Sequence, residues 1–171
     1  MNLILSDKPL HFLTSLPSDT VVYDLSQQTI RPCVGCFGCW TKTPGKCVIR
    51  DDAPSIYPKI AASERILYIS HIWCGGFDTP MKTLMERSIP VQQAFIRIYQ
   101  GETHHVQRAV VPKEAVILAY GAETQEEQTL FKRLVERNAK NMSFFSWKIR
   151  FLSPETLQEA ILEEVAQWNH S

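Results

Sequence analysis

Four of the chain's five cysteines fall within one short stretch, Cys33-Val-Gly-Cys36-Phe-Gly-Cys39 followed by Cys47, with the spacing C-x2-C-x2-C-x7-C. Thiolates bind soft metals. The first three match the run that clasps an iron–sulfur cluster in bacterial ferredoxins, where Cys33, Cys36 and Cys39 could each reach one iron and Cys47 could supply a fourth thiolate. Gly35 and Gly38 would let the loop wrap around such a group. Zinc suits the pattern less well, because structural zinc usually takes two separated pairs. The other reading is a set of small thiols on a turn, inert or redox-labile. A second segment capable of chemistry is Ser70-His71-Ile72-Trp73-Cys74-Gly75-Gly76-Phe77-Asp78. Its glycines let backbone approach a planar ligand, and Trp73 or Phe77 could stack on it. The same loop could equally serve only to finish the core.

The elements around these residues determine where they stand. Short apolar runs at Leu3–Leu5, Val21–Leu25, Arg65–Ser70 and Ala115–Tyr120 read as buried strands, and Lys148–Phe151 as a shorter edge strand. Helical signals alternate with them. One helix starts at Ser55, which places Pro58 in the first turn, where a missing N–H costs nothing. Asp78 caps a helix with Met81, Leu84 and Met85 on one face. Thr124 and Glu127 form a capping box before Leu130, Phe131, Leu134 and Val135. Ser153 and Pro154 open a last helix that carries Leu157, Ala160, Ile161, Glu164, Val165 and Trp168. The expected fold is a doubly wound α/β domain over residues 1–171, a five-stranded parallel sheet in the order 2-1-3-4-5. Such a sheet binds ligands beyond the carboxyl ends of its strands, which here means residues 6–10, 70–78 and 120–124. Residues 91–113 are too long for an ordinary connection and form an insertion over the site or an oligomer interface.

Composition narrows the function. The 171 residues carry 18 Lys+Arg and 18 Asp+Glu, a net charge of zero without a basic block. A nucleic-acid binder needs a cationic field that this chain lacks. No apolar run approaches the roughly 20 residues of a membrane span. The first residues are too short for a signal peptide and lack its basic start. The expected compartment is therefore the cytoplasm, where thiols stay reduced. His104 and His105 are adjacent and share no face, so the pair alone makes a poor chelate.

The stretch from Ile30 to Asp52, IRPCVGCFGCWTKTPGKCVIRDD, resembles the NAD(P)H-dependent FMN reductase branch of the flavodoxin-like superfamily, including its iron–sulfur flavoproteins. Gly75 to Pro90, GGFDTPMKTLMERSIP, is similar to that family's second flavin loop and the helix after it, and Phe95 to His105, FIRIYQGETHH, to an insertion of one subgroup. The resemblance implies FMN at the switch point and hydride transfer from NAD(P)H to a quinone, nitro compound or free flavin. It also implies a homodimer or higher homo-oligomer with the flavin near the interface. Cofactor contacts would come from Ser6, Lys8, Ser70, His71, Ile72, Trp73, Cys74, Gly75, Gly76, Tyr120 and Gly121. Trp73 and Tyr120 would stack on the ring, the N–H groups of Gly75 and Gly76 would face its electron-accepting edge, and Ser6, Lys8 and Ser70 would meet the phosphate. No catalytic acid, base or nucleophile is required. Free thiols rather than a metal or cluster are expected at Cys33, Cys36, Cys39 and Cys47.

The first loop departs from the family pattern. Leu5 to Pro17 reads LSDKPLHFLTSLP, without glycine and without a hydroxyl-rich turn opening a long helix. Only a stub of helix fits between strands one and two, and Asp7 repels a phosphate. Two further readings therefore stand beside the oxidoreductase. One is a flavin-free flavodoxin-like partner subunit, and the other is an electron carrier with a four-iron cluster.

Overall fold

The computed structural model describes residues 1–168. Its strands are β1 (Asn2–Ser6), β2 (Thr20–Asp24), β3 (Arg65–Trp73), β4 (Gly76–Phe77), β5 (Gln92–Tyr99), β6 (Glu102–Gln107), β7 (Lys113–Tyr120) and β8 (Phe144–Leu152). Its helices are α1 (Gly38–Thr41), α2 (Ala53–Ala62), α3 (Met81–Arg87), α4 (Gln125–Asn141) and α5 (Leu157–Trp168). Strands β2, β1, β3, β7 and β8 lie side by side in that order, and every neighbouring pair is parallel. This is the expected five-stranded sheet.

Alternation of side chains along each strand divides the core into two layers. Leu3, Leu5, Tyr68 and Ile117 face one side, where Tyr57 of α2, Leu84 of α3 and Phe131 of α4 cover them. Ile4, Leu67, Ile69 and Leu118 face the other side, against Leu157, Ile161 and Val165 of α5. Burial on both faces explains why these strands read as continuous apolar runs.

The second layer is completed without a helix. Residues 7–19 contain turns only, so even the expected helical stub is absent. Pro9 and Pro17 bracket a stretch too short for a packed helix, and Leu10, Phe12, Leu13 and Leu16 cover the sheet beside α5 as irregular chain.

Five local expectations are corrected. Helix α2 starts at Ala53, with Pro54 in its first turn and Pro58 inside. Pro58 is on the exposed side, where water can take up the carbonyl that loses its donor. Helix α3 begins after Pro80 rather than under an Asp78 cap. Helix α5 starts at Leu157, and Ser153 belongs to a turn closed by the Thr156 N–H. On α4 the capping box forms as expected, but only Phe131 and Val135 reach the core, whereas Leu130 and Leu134 stay exposed. The edge strand β8 runs from Phe144 to Leu152, beyond both ends of the expected segment.

Candidate functional site

Three strands deliver their carboxyl ends to one place: β1 at Ser6, β3 at Trp73 and β7 at Tyr120. Beyond Ser70, the expected glycine loop is a hairpin. Strand β3 runs on to Trp73, turns through Cys74 and Gly75, and returns as β4 with Ile72 opposite Phe77 and Trp73 opposite Gly76. Cys74 and Gly75 both have positive φ, 48° and 72°, as a two-residue primed turn requires. A Cβ on Gly75 would stand 2.6 Å from Leu130 of α4, so the turn lies directly on that helix. The hairpin leaves Trp73 two-thirds exposed, at 66%, while Ile72 is fully buried.

Asp7 organises the edge. Its N–H donates to the Ile69 carbonyl at 3.1 Å, extending the β1–β3 ladder by one step. Its carboxylate accepts the His71 N–H at 2.6 Å and the Tyr120 hydroxyl at 2.7 Å. Burial pushes the Asp7 carboxyl above the usual range, opposed by these two bonds. Burial also pushes the Tyr120 phenol up, and its bond to Asp7 adds to the shift. The Lys8 ammonium sits 4.1 Å from the centre of the Tyr120 ring. The His71 ring lies between Tyr120 and Trp73, with centroids at 5.3 and 6.5 Å, and its Nδ1 pairs with Asp78 at 2.9 Å. A Cβ on Gly121 would strike the His71 ring at 2.3 Å, so this close approach requires glycine.

The structure thus gathers His71, Trp73, Cys74, Gly75, Gly76, Tyr120 and Gly121 at one edge and assigns several of them other tasks. The Ser6 hydroxyl is closed on the backbone of Lys8, donating to its carbonyl and accepting its N–H. Ser70 is buried and donates to the His71 carbonyl at 3.0 Å. The Ile72 side chain faces the core. Tyr120 is buried with Lys8 over its ring, which removes it as a stacking partner. For a flavin, the ring end fits, with an exposed Trp73, a glycine turn and Gly121 beside it. The phosphate end does not fit, because both serine hydroxyls are committed and a carboxylate stands there instead. A groove of about 540 Å³ opens between His71, Tyr120, Gly121, Glu123 and Phe151, a size suited to a small ligand. A larger hollow of about 820 Å³ lies at the amino edge, between Asn2, Arg65 and Glu114. We assign the site to the carboxyl edge, where doubly wound sheets bind ligands.

The cysteine loop leaves β2 and reaches α2. Cys33, Cys36, Cys39 and Cys47 all line one apolar cavity of about 50 Å³, closed by Trp40, Ile49 and Ile89. Burial pushes the Cys39 thiol up, and the other three cysteines raise it further. Among the described residues, no three His, Cys, Asp or Glu are gathered as ligands of a single metal ion. Four cysteines lining one apolar space, Cys33 and Cys36 of them exposed, do suit the donor set of a cluster. The loop is fixed from below by a pair that sequence reasoning missed. Arg87 of α3 and Asp51 are each 1% exposed at the side chain and joined by bonds of 2.6 and 3.0 Å. Arg87 also donates to the Arg31 carbonyl and, at 3.3 Å, to Cys47 Sγ, while Asp51 accepts the N–H groups of Arg31 and Ala53. Burial alone would raise the Asp51 carboxyl, but the bonds from Arg87 and Arg31 outweigh it and hold it below the usual range. The clue in the sequence was an arginine on the otherwise apolar face of α3.

The insertion is the β5–β6 hairpin. It packs between the cysteine loop and the end of α4. Trp40 packs against His105, the rings tilted with centroids 4.8 Å apart, and donates to the Gln92 carbonyl. On the other side Glu102 binds Arg137, Lys140 and His104, and His104 also reaches Asn141. The adjacent histidines do point to different partners. Phe95, Ile96 and Ile98 remain exposed. Among the described residues, no helix is long and apolar enough to cross a membrane.

Comparison with known proteins agrees with this architecture. No family model matches the chain. An iron–sulfur flavoprotein of Methanocaldococcus jannaschii is 35% identical over 77 residues, 45% of this chain and 39% of that one. An iron–sulfur flavoprotein of Methanosarcina thermophila is 32% identical over 72 residues, 42% of this chain and 36% of that one. The chain thus matches well under half the length of these relatives. Among solved structures, the azoreductase AzrA superposes with a TM-score of 0.64 at 10% identity, covering 97% of both chains. An NAD(P)H:quinone oxidoreductase from Methanothermobacter marburgensis gives 0.60 at 14% identity, over 97% of this chain and 95% of that one. An FMN-dependent NADH-azoreductase from Bacillus anthracis, solved with FMN, gives 0.60 at 8% identity, over 97% and 95%. The chain therefore has the flavodoxin-like fold seen in these solved structures, and part of its sequence is similar to iron–sulfur flavoproteins.

Proposed function

We propose that the chain is a flavin-dependent NAD(P)H oxidoreductase that reduces a small-molecule acceptor such as a quinone, a nitro compound or a free flavin. The observation that carries this reading is the exposed Trp73 on its glycine hairpin, beside His71 and Gly121, at the switch point of a flavodoxin-like sheet. A bound flavin would supply the hydride and electron chemistry. The chain would supply orientation: Trp73 covers one ring face, the Cys74–Gly75 turn brings backbone close, and Gly121 lets His71 close on the third loop. His71 is held in place there by Asp78. The names of the superposed reductases support a flavin and a nicotinamide as the partners of this chain. Mixing the purified protein with flavin, removing the excess and measuring NADH or NADPH oxidation with a quinone tests the reading. Turnover that depends on the protein is expected, and retained flavin without turnover would point to a carrier instead.

A second redox group is favoured by the cysteine loop. We read it as the seat of an iron–sulfur cluster held by Cys33, Cys36, Cys39 and Cys47, in place of the free thiols expected from sequence. All four cysteines line one small apolar cavity, and the partly similar relatives are iron–sulfur flavoproteins. The exposed Phe95, Ile96 and Ile98 support a homodimer joined through the hairpin. Thiols kept in this state suit the cytoplasm.

A further inference from the structure

We propose that Asp7 occupies the anion seat of the carboxyl-edge site, so that the flavin it accepts is the phosphate-free form, riboflavin, rather than FMN; this rests on the flavin reading above. An anionic ligand at a switch point is held by donors that converge from the strand ends and by the first N–H groups of the helix after β1. Here that helix does not exist, since residues 7–19 form turns only. The donors that do converge are already taken. The His71 N–H at the end of β3 and the Tyr120 hydroxyl at the end of β7 both point at the Asp7 carboxylate, at 2.6 and 2.7 Å. Ser6 and Ser70, the other hydroxyls of the edge, are bonded to backbone. The Lys8 ammonium lies over the Tyr120 ring and offsets the Asp7 charge.

The seat is therefore complete without a ligand. A phosphate arriving there would have to displace a carboxylate that is bonded at both oxygens, or lie next to it and compete with it for the Lys8 ammonium. An uncharged ribityl chain meets neither difficulty. Its hydroxyls can donate to Asp7 as well as accept, and a carboxylate only accepts. The ring contacts at Trp73, the glycine turn and Gly121 are the same for both flavins, so the difference between them reports the Asp7 region alone.

Titration of the protein with riboflavin and with FMN, followed by quenching of flavin fluorescence, tests this. Riboflavin is expected to bind at least as tightly as FMN. Asp7→Asn keeps the size of the side chain and removes the charge; it is expected to tighten FMN about tenfold, with riboflavin changed less than about threefold. Asp7→Gly, which releases the His71 and Tyr120 donors, is expected to favour FMN further. A wild-type preference for FMN of about tenfold or more would overturn the inference and leave the flavin site standing. Binding of neither flavin would refute the site itself, and the inference with it. Should a variant melt early, the wild-type comparison of the two flavins decides alone.

Discussion

Removing Asp51 should loosen the whole cysteine loop. This carboxylate accepts two bonds from Arg87 and the N–H groups of Arg31 and Ala53, so it ties the start of the loop, α2 and α3 together. Asp51→Ala leaves the Arg87 guanidinium buried and charged with only the Arg31 carbonyl and Cys47 as partners. Breaking a buried pair in this way typically costs about 3–5 kcal/mol. For a chain of this size each kcal/mol moves the melting temperature by about 2–4 °C, so a fall of about 6–20 °C is expected by calorimetry. The double variant Asp51→Ala/Arg87→Met should lose less than the two single variants added together, because no charge is then stranded. It should still melt below wild type, since the two backbone donors lose their acceptor. Because the Asp51 carboxyl is held below its ordinary value, its contribution is complete above the ordinary aspartate range and disappears as the pH falls through the folded value. The gap between wild type and Asp51→Ala should accordingly narrow in acid. A melting temperature within about 2 °C of wild type, or strict additivity in the double variant, would refute the argument.

Three other outcomes follow from named contacts. Trp73→Ala should abolish flavin binding while leaving the melting temperature within about 2 °C, since the indole is largely exposed; Ser6→Ala should leave flavin affinity nearly unchanged, because its hydroxyl serves only its own turn. Lys113 is fully buried with a bond to the Val111 carbonyl, and burial lowers its ammonium to about 8. The unfolded chain holds that proton to higher pH than the folded one, so Lys113→Met should stabilise by about 1–3 kcal/mol at pH 7, with the gain shrinking as pH rises above 8, as paired denaturant titrations would show. Protein prepared without oxygen should contain iron and acid-labile sulfide at about four of each per chain, and Cys36→Ser should lower both; protein without either would return the loop to free thiols.

The sheet was legible because its physics is local. Strands such as Ile66-Leu67-Tyr68-Ile69 carry apolar side chains on both faces, and Thr124 with Glu127 announces α4 by a bond between neighbours. The shortness of the first crossover was also readable, although the stub of helix expected there is irregular chain. What escaped the sequence depends on partners far along the chain. That His71 would lie against Gly121, that Lys8 would cover Tyr120, or that Arg87 would find Asp51 is fixed by the packing of separate loops. The hairpin at Cys74–Gly75 was missed for a different reason. A cysteine with positive φ is an uncommon choice for a primed turn, so the pattern read as an open glycine loop. The serines at the strand ends looked like phosphate ligands by residue type, and only the bonds they make reveal that they are committed elsewhere.

The central claim is that a flavin ring binds at the carboxyl edge against Trp73. The most direct test is to incubate the protein with riboflavin and separately with FMN, pass each through gel filtration, and record the visible spectrum of the protein peak beside that of Trp73→Ala. The account predicts a yellow peak with retained, quenched flavin for wild type and a colourless one for the variant. A wild-type peak that emerges colourless from both incubations, or a Trp73→Ala peak that keeps its flavin, would contradict it.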